Sequence, residues 1–300
     1  MTTPDPQDLP FPESPVLPAM LEGSATIQFR CHRGIACWNA CCSNIDISLT
    51  PYDILRLKRR LGLTSTEFLE RYTLPYEMEK DGIAGVKLRP VEGGSACRFM
   101  NPEGCGVYED RPTACRYYPV ALLSMRRQDE SIDRAAYALV KEAHCLGHNE
   151  PNRQTIDEYR TEQGLPEYDE LARGWRQLIL KKKSSGPTIG KPSKRSLQLF
   201  FMTCYDVDRF REFVASEGFR EMYDLPADEL EATLADDAKL MLFGFRFLRQ
   251  VLFGEESIPV RAEAAERRRA SYREKVERLE REAAERRARD EGMIDEAPDL

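Results

Sequence analysis

Apolar and polar positions follow two regimes along this chain, short irregular segments first and long helical periodicity afterwards. Thr50, Pro51 and Asp53 supply a hydroxyl N-cap, a proline at the first helical position and an acid at the third, ahead of ILRLKRRLG. That arrangement predicts a helix over residues 51–60. The run Thr64-Ser65-Thr66-Glu67 repeats the capping pattern before FLERYT, so a second short helix begins near Ser65. Both helices are expected to close over the cysteine-bearing loop before them. Residues 83–91, IAGVKLRPV, read as a strand ending at proline, and Pro102-Glu103-Gly104 as a turn. Residues 108–118 read as a short helix restarted at Pro112 and ended by Pro119.

After residue 150 the pattern becomes mainly helical. TIDEYRTEQ is followed by EYDELARGWRQLILKKK, where Tyr168, Leu171, Trp175 and Leu178 recur at intervals of three and four and form a core stripe. The apolar run LQLFFMTCYDV, residues 197–207, reads as a buried strand, and further helices are expected over 207–217 and 227–253. Residues 261–290 contain no Pro or Gly and pair Glu with Arg at intervals of three and four, which predicts one long charged helix. Its short apolar stripe, Tyr272, Val276, Leu279 and Ala283, suits a solvated helix, and a seat on a partner is the other reading.

Punctuation divides the rest. Prolines at 4, 6, 10, 12, 15 and 18 favour extended backbone, and SSGPTIGKPSKR, residues 184–195, has the composition of a linker. The chain thus reads as a proline-rich arm (1–24), a cysteine-bearing domain (25–150), a mainly helical region (151–258) and a charged helix and tail (259–300). The fold class is α+β, predominantly α-helical, with short strands in the cysteine half.

Composition narrows the function classes. The chain has 300 residues, 41% hydrophobic and 32% charged, and its 44 basic against 51 acidic residues leave a formal charge of -7. An overall acidic balance disfavours a broad grip on nucleic acid, and the Arg267-Arg268-Arg269 run is interleaved with acids. No stretch reaches the roughly 18 apolar residues of a membrane span, and the opening MTTPDPQDLPFPESP lacks a basic and then apolar leader. The sequence therefore reads as cytoplasmic, with no membrane association.

Nine cysteines in a reducing compartment point to metal or redox chemistry before disulfides. Cys31, Cys37, Cys41, Cys42, Cys97, Cys105, Cys115 and Cys145 all lie in the first half, and Cys204 stands alone among large apolar neighbours as a core residue. Gathering thiolates costs electrostatic repulsion unless a cation or cluster offsets it, so a soft metal is the economical explanation, with buried structural cysteine as the competing one. Cys37 and Cys41 have the i,i+4 spacing by which one helical turn presents two sulfurs to one centre. Cys41 and Cys42 point differently, so one can serve a second centre or pack as a buried thiol. Asn44 occupies the place of a third radical-SAM cysteine, and no ferredoxin, zinc-ribbon, P-loop, dinucleotide-binding or zincin motif occurs. The three histidines, His32, His144 and His148, each lie within three residues of a cysteine and are expected to support the centre or lie on the surface.

At CRFMNPEGCGVYEDRPTACRYYPV, taken with the upstream C-x5-C-x3-C-C and LTPYDILRL, the chain resembles the YkgJ-like cysteine-cluster family of zinc- or iron-chelating domains. The resemblance spans about residues 31–148 and ends at Cys145-Leu146-Gly147; the first interval here is C-x5-C where members often have C-x2-C. It implies that the eight clustered cysteines are metal ligands. A similar cysteine arrangement is associated with bacterial flagellin lysine N-methylases, read as iron–sulfur proteins, which favours iron–sulfur and permits an enzyme. No residues here match a methyl-donor site, so that activity is not carried over. Arg111 and Arg116 flank Cys115 and are candidates to bind the cofactor by donating to its sulfurs, with salt bridges to Glu109 and Asp110 as the alternative. Asp53 reads as a cap, and Tyr108, Tyr117 and Tyr118 as a shield against water. The leading expectation is one [4Fe–4S] cluster on four of the eight thiols, used in redox or in modification of a protein substrate. The alternatives are a zinc-stabilised structural or interaction protein and a metal-handling protein.

Overall fold

The computed structural model describes residues 20–78, 83–125, 134–184 and 193–295. Most of the proline-rich arm and of the linker over 184–195 lies outside these residues. Helix α1 (Pro51–Leu61) and helix α2 (Ser65–Tyr72) start where the capping patterns place them, each with a complete capping box, at Thr50 with Asp53 and at Thr64 with Glu67. Gly62, at φ 64°, ends α1 in the left-handed conformation that only glycine adopts freely.

Two strands of the cysteine half are paired across the whole segment. β1 (Thr26–Gln28) runs antiparallel to β8 (Arg153–Thr155), Thr26 opposite Thr155, which ties the start of the cysteine segment to its end. Between them lie three hairpins: β2 (Thr73–Met78) with β3 (Ile83–Leu88), β4 (Met100–Asn101) with β5 (Gly104–Cys105), and β6 (Val120–Met125) with β7 (Arg134–Leu139). The sequence reading found β3 and the turn between β4 and β5, but not β1, β2, β6, β7 or β8. The expected helix over 108–118 is a 3-10 turn at Tyr108–Asp110 followed by α3 (Thr113–Tyr117), as Pro112 implies.

The second half is helical: α4 (Ile156–Glu162), α5 (Leu165–Ser184), α6 (Lys194–Tyr205), α7 (Val207–Ala215), α8 (Glu217–Met222), α9 (Ala227–Ala235), α10 (Asp237–Phe253) and α11 (Ala262–Asp295). The run read as a strand over 197–207 is in fact helix α6, capped by Ser193, whose hydroxyl accepts the Ser196 amide at 3.1 Å. Its apolar residues are continuous because it packs between β3 and α10, so a helix covered on two sides mimics a buried strand. Asp236 caps α10 and splits the expected helix over 227–253 into α9 and α10. Ser216 splits α7 from α8 in the same way. Among the described residues no helix is long and apolar enough to cross a membrane. On α11 the stripe residues Tyr272 and Leu279 are exposed.

The core has two parts. In the larger, Leu57 and Phe68 from α1 and α2 pack with β3 and with Phe210, Leu240 and Leu248 from the helical half. These side chains are fully buried, each contributing about 1.5–3 kcal/mol. Cys204 belongs to this cluster, as its apolar neighbours predicted. The smaller part gathers Ile27, Phe29, Tyr117, Val120, Tyr137, Ile156, Tyr159 and Leu165. Cys105 packs against the larger cluster and Cys145 against the smaller, so the cysteine loops lie where the two meet.

A polar joint fastens the first half to the second. The Ser65 amide donates to Asp208 at 2.6 Å, the Ser65 hydroxyl to Asp206 at 2.6 Å, and the Asp208 amide back to the Ser65 hydroxyl at 2.9 Å. Lys58 completes it with Asp208 at 3.0 Å and Asp237 at 3.1 Å. Burial works against charge on Asp208, yet the Ser65 amide and the Lys58 ammonium hold its carboxyl below the usual carboxylate range. A depressed folded pKa contributes stability above the unfolded pKa of about 4 and loses it as pH falls through the folded value. Urea unfolding from pH 7 down to pH 3 is expected to show that loss below about pH 4. Asp208→Asn should be less stable at pH 7 and lose less on acidification; an unchanged acid limb would exclude this pair as a source of it.

Candidate metal centre

The first four thiols sit on a chain of turns. After β1, Gly34 takes φ 103°, and the Trp38 amide donates to Ile35 at 2.9 Å. Asn39 then adopts φ 65° and opens a 3-10 turn over Ala40–Cys42. The helical turn expected from Cys37 to Cys41 is therefore interrupted at Asn39, a residue type that tolerates the left-handed region. Its side-chain Nδ2 donates to the Asn101 carbonyl at 3.2 Å, linking this loop to the β4–β5 hairpin. The Cys97 amide adds a second link, donating to the Cys42 carbonyl at 2.8 Å. Gly104 is required in that hairpin, since its φ is 132° and an added Cβ would meet the Trp38 ring at 2.9 Å.

Cys115 lies on α3, whose start is fixed by Asp53. One carboxylate oxygen of Asp53 accepts the Thr50 amide at 2.8 Å and caps α1. The other accepts the Thr113 amide at 2.8 Å and the Thr113 hydroxyl at 2.7 Å. Asp53 is fully buried, and burial pushes its carboxyl up while these donors pull it down. The cap role read from sequence is thus correct but incomplete, because the partner on α3 is 60 residues away. Tyr72 of α2 stacks on Phe99 at 5.4 Å, so both early helices border the cysteine loops.

Cys145 closes the set from the far end. Its amide donates to Glu142 at 2.9 Å, the following Leu146 amide donates to the Cys37 sulfur at 3.3 Å, and the Arg30 amide, just before Cys31, donates to Gly147 at 3.1 Å.

The thiols feel one another. Burial and then repulsion from Cys41, Cys37 and Cys145 push Cys31 up to about 11, against the pull of Arg111. Burial, then Cys97 and nearby charges including Cys105, raise Cys115. The Cys41 and Cys42 sulfurs lie 3.9 Å apart, and this contact, with backbone donors, lowers Cys41 to about 7 despite burial, while Cys42 rises. None of the cysteines is in a disulfide.

Both candidate arginines are buried. Arg116 directs its guanidinium to three main-chain carbonyls, Arg111 at 3.1 Å, Gln163 at 2.7 Å and Glu109 at 2.6 Å, and covers the Tyr168 ring at 4.2 Å. Arg111 donates to the Tyr108 carbonyl at 2.8 Å and to Gln163 at 2.6 Å, and its charge favours the thiolates of Cys31 and Cys105. Asp110 pairs with Arg56 at 2.7 Å. Of the tyrosines read as a shield, Tyr117 is buried and donates to Asp169 at 2.6 Å, whereas Tyr108 is half exposed. The histidines are engaged elsewhere: His32 with Glu150 at 3.4 Å, His144 with Glu142 at 3.6 Å, and His148 with the Val140 carbonyl at 3.0 Å.

The donor set fits a thiophilic metal. All eight clustered thiols are free, several crowd one another, the Tyr118 hydroxyl interacts with Cys145 and Glu142, and the Trp38 indole N–H is buried without a partner. Tyr118 stands next to Cys145, where a metal-bound thiolate would accept its proton. Among the described residues no group of three or more His, Cys, Asp or Glu side chains is closed around one ion position, so the backbone gathers the thiols in one region without setting them at ligand geometry.

The lowered, exposed Cys41 generates a prediction. In metal-free protein, iodoacetamide labelling followed by peptide mass spectrometry should find Cys41 alkylated first, its rate climbing as pH rises through about 7. Cys204 should stay unlabelled until the fold is opened. Equal labelling of Cys41 and Cys31 would contradict this assignment.

Comparison with curated proteins and with solved structures found no match. Residues 30–146, the segment that carries the eight thiols and their supporting loops, match a cysteine-cluster family described as "Putative zinc- or iron-chelating domain". Through these residues the chain is similar to the cysteine-cluster family of zinc- or iron-chelating domains.

Proposed function

We propose that the cysteine domain carries a [4Fe–4S] cluster held by four of its thiolates, serving redox chemistry or the modification of a protein substrate in the cytoplasm. The observation that carries this reading is a donor set made only of sulfur, with the three histidines engaged elsewhere. Thiolates alone suit an iron–sulfur cluster, which also needs hydrogen-bond donors toward its sulfurs and shelter from water. The buried Trp38 N–H and Tyr118 O–H are such donors. Arg111 supplies positive charge near Cys31 and Cys105, offsetting the net negative charge of a thiolate-bound centre. Arg116 supports the centre indirectly, by holding the loop before Cys115 through its carbonyl bonds.

A zinc reading is favoured by a different observation. The cysteine half consists of two-stranded pairings and short helices, and its separate apolar cluster is small. A four-thiolate zinc site contributes folding free energy directly to such a segment. That would make the chain a structural or interaction module, with α11 and its exposed Tyr272 and Leu279 available to a protein partner.

Anaerobic purification followed by a visible absorption spectrum and analysis of iron, zinc and acid-labile sulfide decides between these readings. A brown protein with equal iron and sulfide is expected; a colourless one with zinc and no sulfide would overturn the cluster. Cys115→Ser should lose metal and destabilise the cysteine half, whereas Cys204→Ser should keep full metal content. Unchanged metal in Cys115→Ser would remove Cys115 from the ligands.

A further inference from the structure

Helix α11 leaves the body of the protein soon after it begins. Ala264 is buried, whereas from Ser271 to Arg287 every residue except Val276 is exposed. Along this stretch Tyr272, Val276, Leu279 and Ala283 recur at intervals of four, three and four, the two core positions of a heptad repeat. Tyr272 is 68% exposed and Leu279 50%, so an apolar stripe faces water on an otherwise strongly charged helix.

The stripe is complementary to a second copy of itself running in the opposite direction. With two copies centred between Glu277 and Arg278, Tyr272 faces the second copy's Ala283 and Val276 faces its Leu279, so the ring meets the smallest side chain of the stripe. The positions flanking the stripe then pair in sign: Lys275 faces Glu282, Arg273 faces Glu280 and Glu266 faces Arg287, each pair occurring twice by two-fold symmetry. Arg269 faces Arg286 just outside the stripe, where both side chains are exposed and carry their charge into water. A parallel pair would set Tyr272 against Tyr272 and crowd both protein bodies at one end. The antiparallel pair keeps the bodies at opposite ends of a helix that is about 50 Å long for its 34 residues.

The same register brings the far end of α11 to a groove on the second copy. Residues 290–295 of one helix run alongside residues 260–265 of the other. There Phe219, Tyr223, Leu230 and Leu234 line an open groove of about 620 Å³, bordered by the exposed Arg220 and Arg261. The Arg261 carbonyl accepts the Ala265 amide at 2.9 Å, and its spacing from Ala265 and Tyr272 puts Arg261 on the stripe's side of the helix. Its guanidinium pairs with Asp224 at 3.1 Å, and among the described residues lining the groove Glu231 is the only acid. Residues 290–300 have the complementary composition, with five acids, no base and the apolar Met293 and Ile294 among them.

We propose that two copies of this chain associate through α11 as an antiparallel helix pair, the acidic and apolar far end of each helix seated in the other's arginine-bordered groove. The stripe supplies the apolar contact, the flanking charges set direction and register, and the groove holds the ends. No cysteine takes part, so the association does not depend on what the thiols bind.

The test follows the intact protein by sedimentation velocity and light scattering across a wide range of concentration. A species of twice the 34.4 kDa chain mass is expected, dissociating on dilution; one chain mass at every concentration would overturn the proposal. Leu279→Glu, at an exposed position, should keep the circular dichroism of the wild type and abolish the dimer, and a dimer that survives it would overturn the α11 interface. Lys275→Glu should weaken association roughly tenfold by setting acid against acid. Adding Glu282→Lys should restore it, because the antiparallel pair is then complementary again, whereas a parallel pair would stay weak; absence of rescue overturns the register. Arg220→Glu should weaken association to a similar degree, and unchanged association in that variant would remove the groove from the interface.

Discussion

One buried carboxylate holds the cysteine domain in register. Asp53 caps α1 with one oxygen and α3 with the other, so the helix after the first cysteine group and the helix bearing Cys115 are pinned to the same side chain. A fully buried carboxylate without partners would cost several kcal/mol; here donors from Thr50 and Thr113 surround it and satisfy two helix N-termini at once. Arg116 repeats the logic with opposite charge, closing the loop ahead of α3 through carbonyls of Arg111, Glu109 and Gln163. The thiols are placed by this framework, which draws on hydrogen bonds rather than on a metal.

Placing the thiols is not the same as making them comfortable. Burial and mutual repulsion raise most of them, whereas the contact with Cys42 and backbone donors lower Cys41. The electrostatic tension of the clustered sulfurs is relieved when a cation or cluster accepts them as thiolates, which couples metal binding to stability in this segment. The Trp38 indole N–H is buried without a partner in the same segment.

The cysteine domain also leans on the helical half. Leu57 and Phe68 share a core with Phe210, Leu240 and Leu248, and the Ser65–Asp206–Asp208 joint fastens α2 to α7. Beyond this core, α11 departs as a largely solvated charged helix touching the body near α8.

Local chemistry was readable from sequence wherever one short segment contained the whole signal. The capping boxes at Thr50 and Thr64, the break at Pro112, the charged helix and the burial of Cys204 all depend on neighbours within a few residues. The family motif likewise marks the metal-binding segment by its own residues. The strands β1 and β8 were not legible, because each is three residues long and exists only through a partner on the far side of the cysteine domain. The strand β2 carries Pro75, which argues against a strand until its edge position is known. Residues 197–207 misled because a helix buried on two faces loses the polar positions that reveal its period. The second role of Asp53 and the meeting of the distant cysteine loops were decided by tertiary structure alone, since both depend on which distant segments share hydrogen bonds, and cysteine spacing does not encode that.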